Sequence, residues 1–167
     1  MRECGPLERP IIVDAMNETR DRDRAEAELG EIPLRMIAAW NLGDGDAFAA
    51  PFTDTADFIA FEGTHLHGRA EIAAFHRELF ATAVRGTKLE GGVRFVRLLT
   101  PDLAVVHAWA RYATLPGTDQ PVAGRESMQL LVVTRRDGGW WAEAMQNSRQ
   151  LTLDQQQILD DVVLGLA

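Results

Sequence analysis

Apolar residues recur along the chain with two different periods, and the change from one to the other divides it. From Ala25 the spacing is helical, with Leu29, Ile32, Met36, Ile37 and Trp40 falling on one side, the interval at which side chains of a 3.6-residue turn line up. Pro33 lies inside this run and predicts either a kink or a fresh helical start. Gly43-Asp44-Gly45 closes the run, and Asp44 or Asp46 can cap a short second helix through Phe48, Ala49 and Phe52. Thr53 to Thr55 predicts a turn, Asp57 to Phe61 a strand, and Gly63 to Gly68 a loop holding His65 and His67. A third helix is expected from about Arg69 to Val84, with Ile72, Phe75, Leu79 and Phe80 on its buried side.

Beyond Gly86 the period falls to two. Val93 to Leu99 and Leu103 to Tyr112 read as a hairpin about Pro101-Asp102, and pairing Leu99 with Ala104 sets Val96 opposite His107 and Arg94 opposite Trp109. Glu126 to Arg135 and Trp140 to Asn147 fold back about Asp137-Gly138, because both central residues of a type I′ turn need positive φ. With that two-residue loop, Val133 faces Ala142, Leu131 faces Ala144 and Gln129 faces Gln146 on one side of the sheet. Met128, Leu130, Val132, Trp141, Glu143, Met145 and Asn147 take the other side, which the cost of burying Glu143 marks as the outer one. A three-residue loop would exchange the two faces. Helices followed by long strands predict an α+β fold, with N-terminal helices packed on one face of a curved antiparallel sheet.

Residues 1–24, with Pro6, Pro10 and a dense Arg/Asp/Glu run, predict a flexible leader, and 25–149 the folded domain. In 150–167, Leu153, Ile158, Leu159, Val162 and Val163 predict an amphipathic helix capped by Thr152, packing on the domain or on a dimer partner. A net charge of −8 offers no basic stripe for phosphates, so no nucleic-acid partner is expected. The single cysteine, Cys4, provides neither a disulfide framework nor a zinc pattern, which suits the cytoplasm. No apolar run approaches the roughly 18 residues of a membrane span.

Four segments together resemble the SnoaL-like branch of the NTF2-like superfamily. They are Ala39-Trp-Asn-Leu-Gly-Asp-Gly-Asp-Ala-Phe48, Ala56-Asp-Phe-Ile-Ala-Phe-Glu-Gly63, Gly68-Arg-Ala-Glu-Ile-Ala-Ala-Phe-His76, and Arg135-Arg-Asp-Gly-Gly-Trp140 with Gln146-Asn147. Within that branch the chain is most similar to the SgcJ/EcaC family, labelled oxidoreductases, some of which accompany enediyne polyketide biosynthesis. The resemblance implies a cone-shaped α+β barrel with a pocket between helices and concave sheet, paired as a homodimer through the outer sheet face. Members similar to ketosteroid isomerase carry a Tyr on the first helix and a carboxylate on the first strand; Met36 and Ala60 stand there instead, which argues against that mechanism. No strand-Gly-x-Gly-x-x-Gly-helix unit backs the oxidoreductase label, since Gly91-Gly92 follows no strand and precedes no helix. No nicotinamide or other cofactor is expected.

The candidate chemistry lies where the pocket should be. Glu62, His76 and His107 are the candidates for moving a proton. Glu62 stands at the cone mouth if Phe58 points inward, or is a plain turn residue before Gly63; His107 could equally be a core histidine held by a hydrogen bond, and His76 faces pocket or rim. Gln129 and Gln146, if opposed, would hold a ligand oxygen or satisfy each other. Trp40 and Phe58 would line the pocket, Trp40 alternatively being core. His65 and His67 could begin a metal site, but no third ligand has suitable spacing, so exposed loop histidines and no metal are expected. Arg94 or Arg111 can stack on Trp109. The expected function is binding of, or metal-free acid/base action on, an apolar oxygenated metabolite such as a polyketide-type intermediate; the alternative is a carrier with the same pocket.

Overall fold

The computed structural model describes residues 11–114 and 126–151, with 153, 154 and 157 beyond them. In chain order the elements are α1 (Ile11–Leu42), α2 (Gly45–Ala49), β1 (Phe52–Ile59), β2 (His65–His67), α3 (Gly68–Ala81), β3 (Lys88–Thr100), β4 (Leu103–Thr114), β5 (Glu126–Arg136) and β6 (Gly139–Arg149). The fold is α+β, as expected. The predicted C-terminal helix falls outside the described residues apart from 153, 154 and 157.

The first helix is longer than its apolar face. Residues 11–24, expected as a leader, belong to α1, and its charged run supplies ion pairs one turn apart: Arg22 Nε to Glu26 Oε1 at 3.0 Å and Arg24 Nε to Glu28 Oε1 at 2.9 Å. The helix continues through Pro33 without restarting. Leu29, Ile32, Met36 and Ala39 are buried. Gly43, with φ +71°, ends it, and its N–H and that of Asp44 turn back to the carbonyls of Trp40 and Ala39. Asp44, of the two candidates, caps α2 by accepting from Ala47 N at 2.9 Å.

The six strands form one curved, open sheet in the order β2-β1-β6-β5-β4-β3. Thr53 to Thr55, expected as a turn, lies inside β1, and the loop expected around His65 and His67 contains β2, paired antiparallel to β1. β1 runs parallel to β6, so the sheet is mixed rather than wholly antiparallel.

Both hairpins turn where predicted, and both then slip by one residue. Asp137 and Gly138 have φ of +52° and +77°, Arg136 faces Gly139 and Val133 faces Ala142. A bulge between Val132 and Val133 then leaves Glu143 unpaired, so Val132 meets Ala144, Leu131 meets Met145 and Gln129 meets Asn147. Because side chains alternate, this single extra residue moves Met145 and Asn147 to the inner face and Ala144 and Gln146 to the outer one, the reverse of the expected assignment. In the β3–β4 hairpin a bulge at Leu99 brings Leu98, not Leu99, opposite Ala104 and Phe95, not Val96, opposite His107, and another at Arg94 puts Gly92, not Arg94, opposite Trp109.

Glu143, expected outside, is held in its bulge. Its Oε1 accepts from Thr134 Oγ1 at 2.6 Å and lies 2.6 Å from Arg136 Nη2, while Oε2 accepts from Thr53 Oγ1 at 3.1 Å. One carboxylate therefore ties β1, β5 and β6 together.

The core lies between the helices and this concave face, with Phe52, Phe58, Ile72, Val106, Leu131, Val133 and Met145 all within 2% exposure. Gly91 sits inside β3, a strand the sequence reading began only at Val93. A Cβ there would come within 2.6 Å of Ile37 Cδ1 and closer still to the Trp109 carbonyl oxygen. Gly91→Ala should therefore cost on the order of 2 kcal/mol or more by forcing β3 off α1 or off β4. Urea unfolding at neutral pH measures it; an unchanged midpoint would show that the approach relaxes freely.

Candidate functional site

Helices and concave sheet leave between them a cavity of about 280 Å³. Trp40 enters from α1, Phe48 from α2, Phe75, His76 and Leu79 from α3, and Phe58 from β1; Ala110, Ser127, Gln129, Met145 and Asn147 form the sheet floor, with Phe61 and Glu62 in the turn after β1. Small residues explain why space remains. Ala110 on β4 and Ser127 on β5 are small buried residues of that floor, so it is low where the aromatic roof is tall.

The roof is an aromatic box around one imidazole. His76 stacks on Phe48 at 3.9 Å between centroids and meets Phe58 edge-on at 5.3 Å and Trp40 at 6.4 Å. Its Nδ1 lies 2.8 Å from the Ile72 carbonyl oxygen. A carbonyl only accepts, so Nδ1 carries the proton and Nε2 keeps its lone pair. Burial pushes the imidazole down from 6.5 to about 4, with the Ile72 hydrogen bond partly opposing it, so the ring is uncharged at neutral pH. Trp40 is fixed from outside the box, its Nε1 donating to Thr87 Oγ1 at 3.0 Å.

The floor carries two amides, though not the expected pair. Gln129, 7% exposed, faces Asn147 across β5 and β6. Neither side chain makes a hydrogen bond among the described residues, and Asn147 Oδ1 is buried without a donor. Buried amides are ordinarily paired, so these two stand out in the floor.

Of the seven predicted site residues the structure gathers five, namely Trp40, Phe58, Glu62, His76 and Gln129. Glu62 is exposed at the rim, in a turn. Gln146 is a correction, since the Glu143 bulge turns it to the exposed outer face opposite Leu130. His107 is another; it shares the outward parity of β4 and stacks on Phe95 at 4.1 Å. Arg94 and Arg111 both lie over Trp109, at 6.0 and 5.7 Å. Asn147 was missed because the ideal hairpin register put it outside. The small residues Ala110 and Ser127 were the available signal for an uncluttered floor.

His65 Nε2 and His67 Nδ1 both lie against Asp57 Oδ1, at 2.8 and 3.2 Å, on the exposed side of β1 and β2. Hydrogen bonds from His65 and then His67 hold the Asp57 carboxyl below its usual range. No group of three or more His, Cys, Asp or Glu among the described residues is arranged to hold a metal.

Comparison with known proteins gives a consistent picture. The family model for the SnoaL-like domain matches residues 34–144. A domain of unknown function with a cystatin-like fold from Nostoc punctiforme is 50% identical, with 86% of this chain and 85% of that one covered and a TM-score of 0.76. An NTF2-like protein with a cystatin-like fold from Novosphingobium aromaticivorans is 20% identical over 93% and 99% of the two chains, TM-score 0.67. Aln2 from a Streptomyces species is 18% identical over 84% and 94%, TM-score 0.63. No curated protein matches.

The neutral state of His76 links stability to acidity. Its folded value lies below its unfolded one, so the unfolded chain binds the extra proton between about pH 6.5 and 4, and stability falls as pH drops through that window. Between pH 7 and pH 4.5 this contributes a loss of about 2 to 3 kcal/mol. A His76→Phe variant should lose that much less than wild type over the same interval in urea titrations; parallel losses would mean His76 titrates normally.

Proposed function

The chain belongs to the SnoaL-like family, and from that premise we propose that it binds a small, apolar, oxygenated metabolite in the cavity between helices and sheet. The observation that carries this is the composition of the wall: an aromatic box with a few unpartnered polar groups, the pattern by which small-molecule sites combine burial with orientation. Our preferred ligand class is a polyketide-type intermediate, whose oxygenated rings suit Trp40, Phe58 and the Gln129 amide. The four segments quoted above are our grounds for grouping the chain with the SgcJ/EcaC family, acting in the cytoplasm in antibiotic-type biosynthesis.

Two lining groups have the chemistry to move a proton. Neutral His76 can accept one at Nε2, and Glu62 can exchange one with solvent at the rim. A carrier without turnover is the second reading, favoured by a specific observation: an imidazole held near 4 is a weak base at neutral pH, and Glu62 is exposed.

The outer face supports a homodimer. Phe95 and Leu130 are 51% and 36% exposed there, beside half-buried Val105, Trp109, Met128 and Val132, a contiguous apolar surface of the kind that seeks a partner. Among the described residues no helix is long and apolar enough to cross a membrane.

Native mass spectrometry of freshly purified protein should detect a retained small molecule, and Ala83→Trp, which fills the exposed rim of the cavity, should release it; retention by the filled variant would place the ligand elsewhere. Glu62→Gln and His76→Gln should each slow turnover of the identified ligand at least about tenfold if it is a substrate, whereas unchanged binding with no product in wild type identifies the carrier. Sedimentation equilibrium should give a dimer that Leu130→Glu converts to monomer, and a monomeric wild type would refute the interface.

A further inference from the structure

The polar groups of the cavity wall are unbalanced. The donors of three lining side chains are engaged already: Trp40 Nε1 gives to Thr87, His76 Nδ1 to the Ile72 carbonyl, and Ser127 Oγ to the Ala110 carbonyl at 3.4 Å. His76 Nε2, on a residue that lines the cavity, receives no hydrogen bond among the described residues and can only accept. The amides of Gln129 and Asn147, not hydrogen-bonded among the described residues, can give as well as accept, although Asn147 Oδ1 is itself buried. Among the described lining residues the one cation, Arg111, is exposed and engaged by Glu90 and by Glu126.

We propose that this cavity selects an uncharged, hydroxyl-bearing ring ligand over the corresponding ether and the corresponding carboxylate, with His76 Nε2 as the acceptor that sets the choice. The inference rests on the cavity being a ligand site, and adds what kind of ligand it takes. A hydroxyl brings the proton that His76 Nε2 lacks. An ether of the same shape leaves this nitrogen unpaired after water has been displaced, and sites built around buried polar groups discriminate strongly against analogues that fail to pair them. A carboxylate would be buried beside the His76 lone pair with no free cation among the described lining residues, and is disfavoured by desolvation. The aromatic box accepts a fused ring, Phe48 and His76 forming a stacked pair beside which a planar ring can lie.

The test uses three probes of one ring system, 2-naphthol, 2-methoxynaphthalene and 2-naphthoate, titrated into wild-type protein at neutral pH with calorimetry and tryptophan fluorescence as readouts. Expected is 2-naphthol binding about tenfold tighter than its methyl ether, and the ether tighter than the carboxylate. His76→Phe should shrink the hydroxyl-over-ether ratio. Should that variant fail to fold, the ratio in wild type still decides. Equal binding of naphthol and ether, or tightest binding of the naphthoate, overturns the proposal while leaving the cavity as a ligand site. Binding of none of the three, or binding unaffected by Ala83→Trp, overturns the site reading itself and this proposal with it.

Discussion

The arrangement depends on one carboxylate placed where a strand needs an extra residue. Glu143 occupies the β6 bulge, and its two oxygens reach Thr53 on β1 and Thr134 on β5, with Arg136 closing the charge. Half-buried carboxylates survive when paired and hydrogen-bonded. Here that requirement also fixes the parity of everything that follows on β6. Met145 enters the core, Asn147 reaches the cavity and Gln146 leaves for the outer face. The floor of the site is thus chosen from several residues away, by an interaction that touches no ligand.

The roof follows a complementary logic. Six aromatic rings, those of Trp40, Phe48, Phe52, Phe58, Phe75 and Phe80, make edge or stacked contacts with one another or with His76. Such a shell favours the uncharged imidazole, and the helical carbonyl of Ile72 selects which nitrogen bears its proton. Tautomer and charge are therefore set by packing and backbone alone. The outcome is an acceptor inside an apolar box, facing a floor whose amides are also unpartnered, which joins the binding reading to the question of what a guest must offer.

Much of this was legible in the chain. Helical spacing at Leu29, Ile32, Met36 and Trp40, the Asp137-Gly138 turn and the alternating β4 pattern led to the α+β fold, and Trp40, Phe58, Glu62, His76 and Gln129 do converge on one cavity. What failed has a common physical origin. A turn fixes register only until the first bulge, and bulges at Glu143, Leu99 and Arg94 leave no signature as plain as Asp-Gly. Gln146 was misplaced for that reason and Asn147 overlooked. His107 faces outward because β4 buries Ala104, Val106, Ala108 and Ala110, while the large apolar Val105 and Trp109 on the opposite face make the side of His107 look equally fit for burial. In the N-terminal half of α1 the charged run from Arg20 to Arg24 gives no apolar periodicity, and ion pairs from Arg22 and Arg24 one turn onward support the helix there.

Asn41, at the end of α1, grips the rim of the sheet with both halves of its amide: Nδ2 donates to the Leu89 carbonyl at 2.9 Å and Oδ1 accepts from Leu89 N–H at 2.7 Å. β3 is an outermost strand, and an outermost strand with free backbone groups invites a foreign chain to zip onto it. The asparagine imitates one residue of such a neighbour and takes its place. Growth of the sheet is blocked at that point by the helix that roofs the cavity, so walling the cavity and guarding against fibre-like association are tasks of the same helical end.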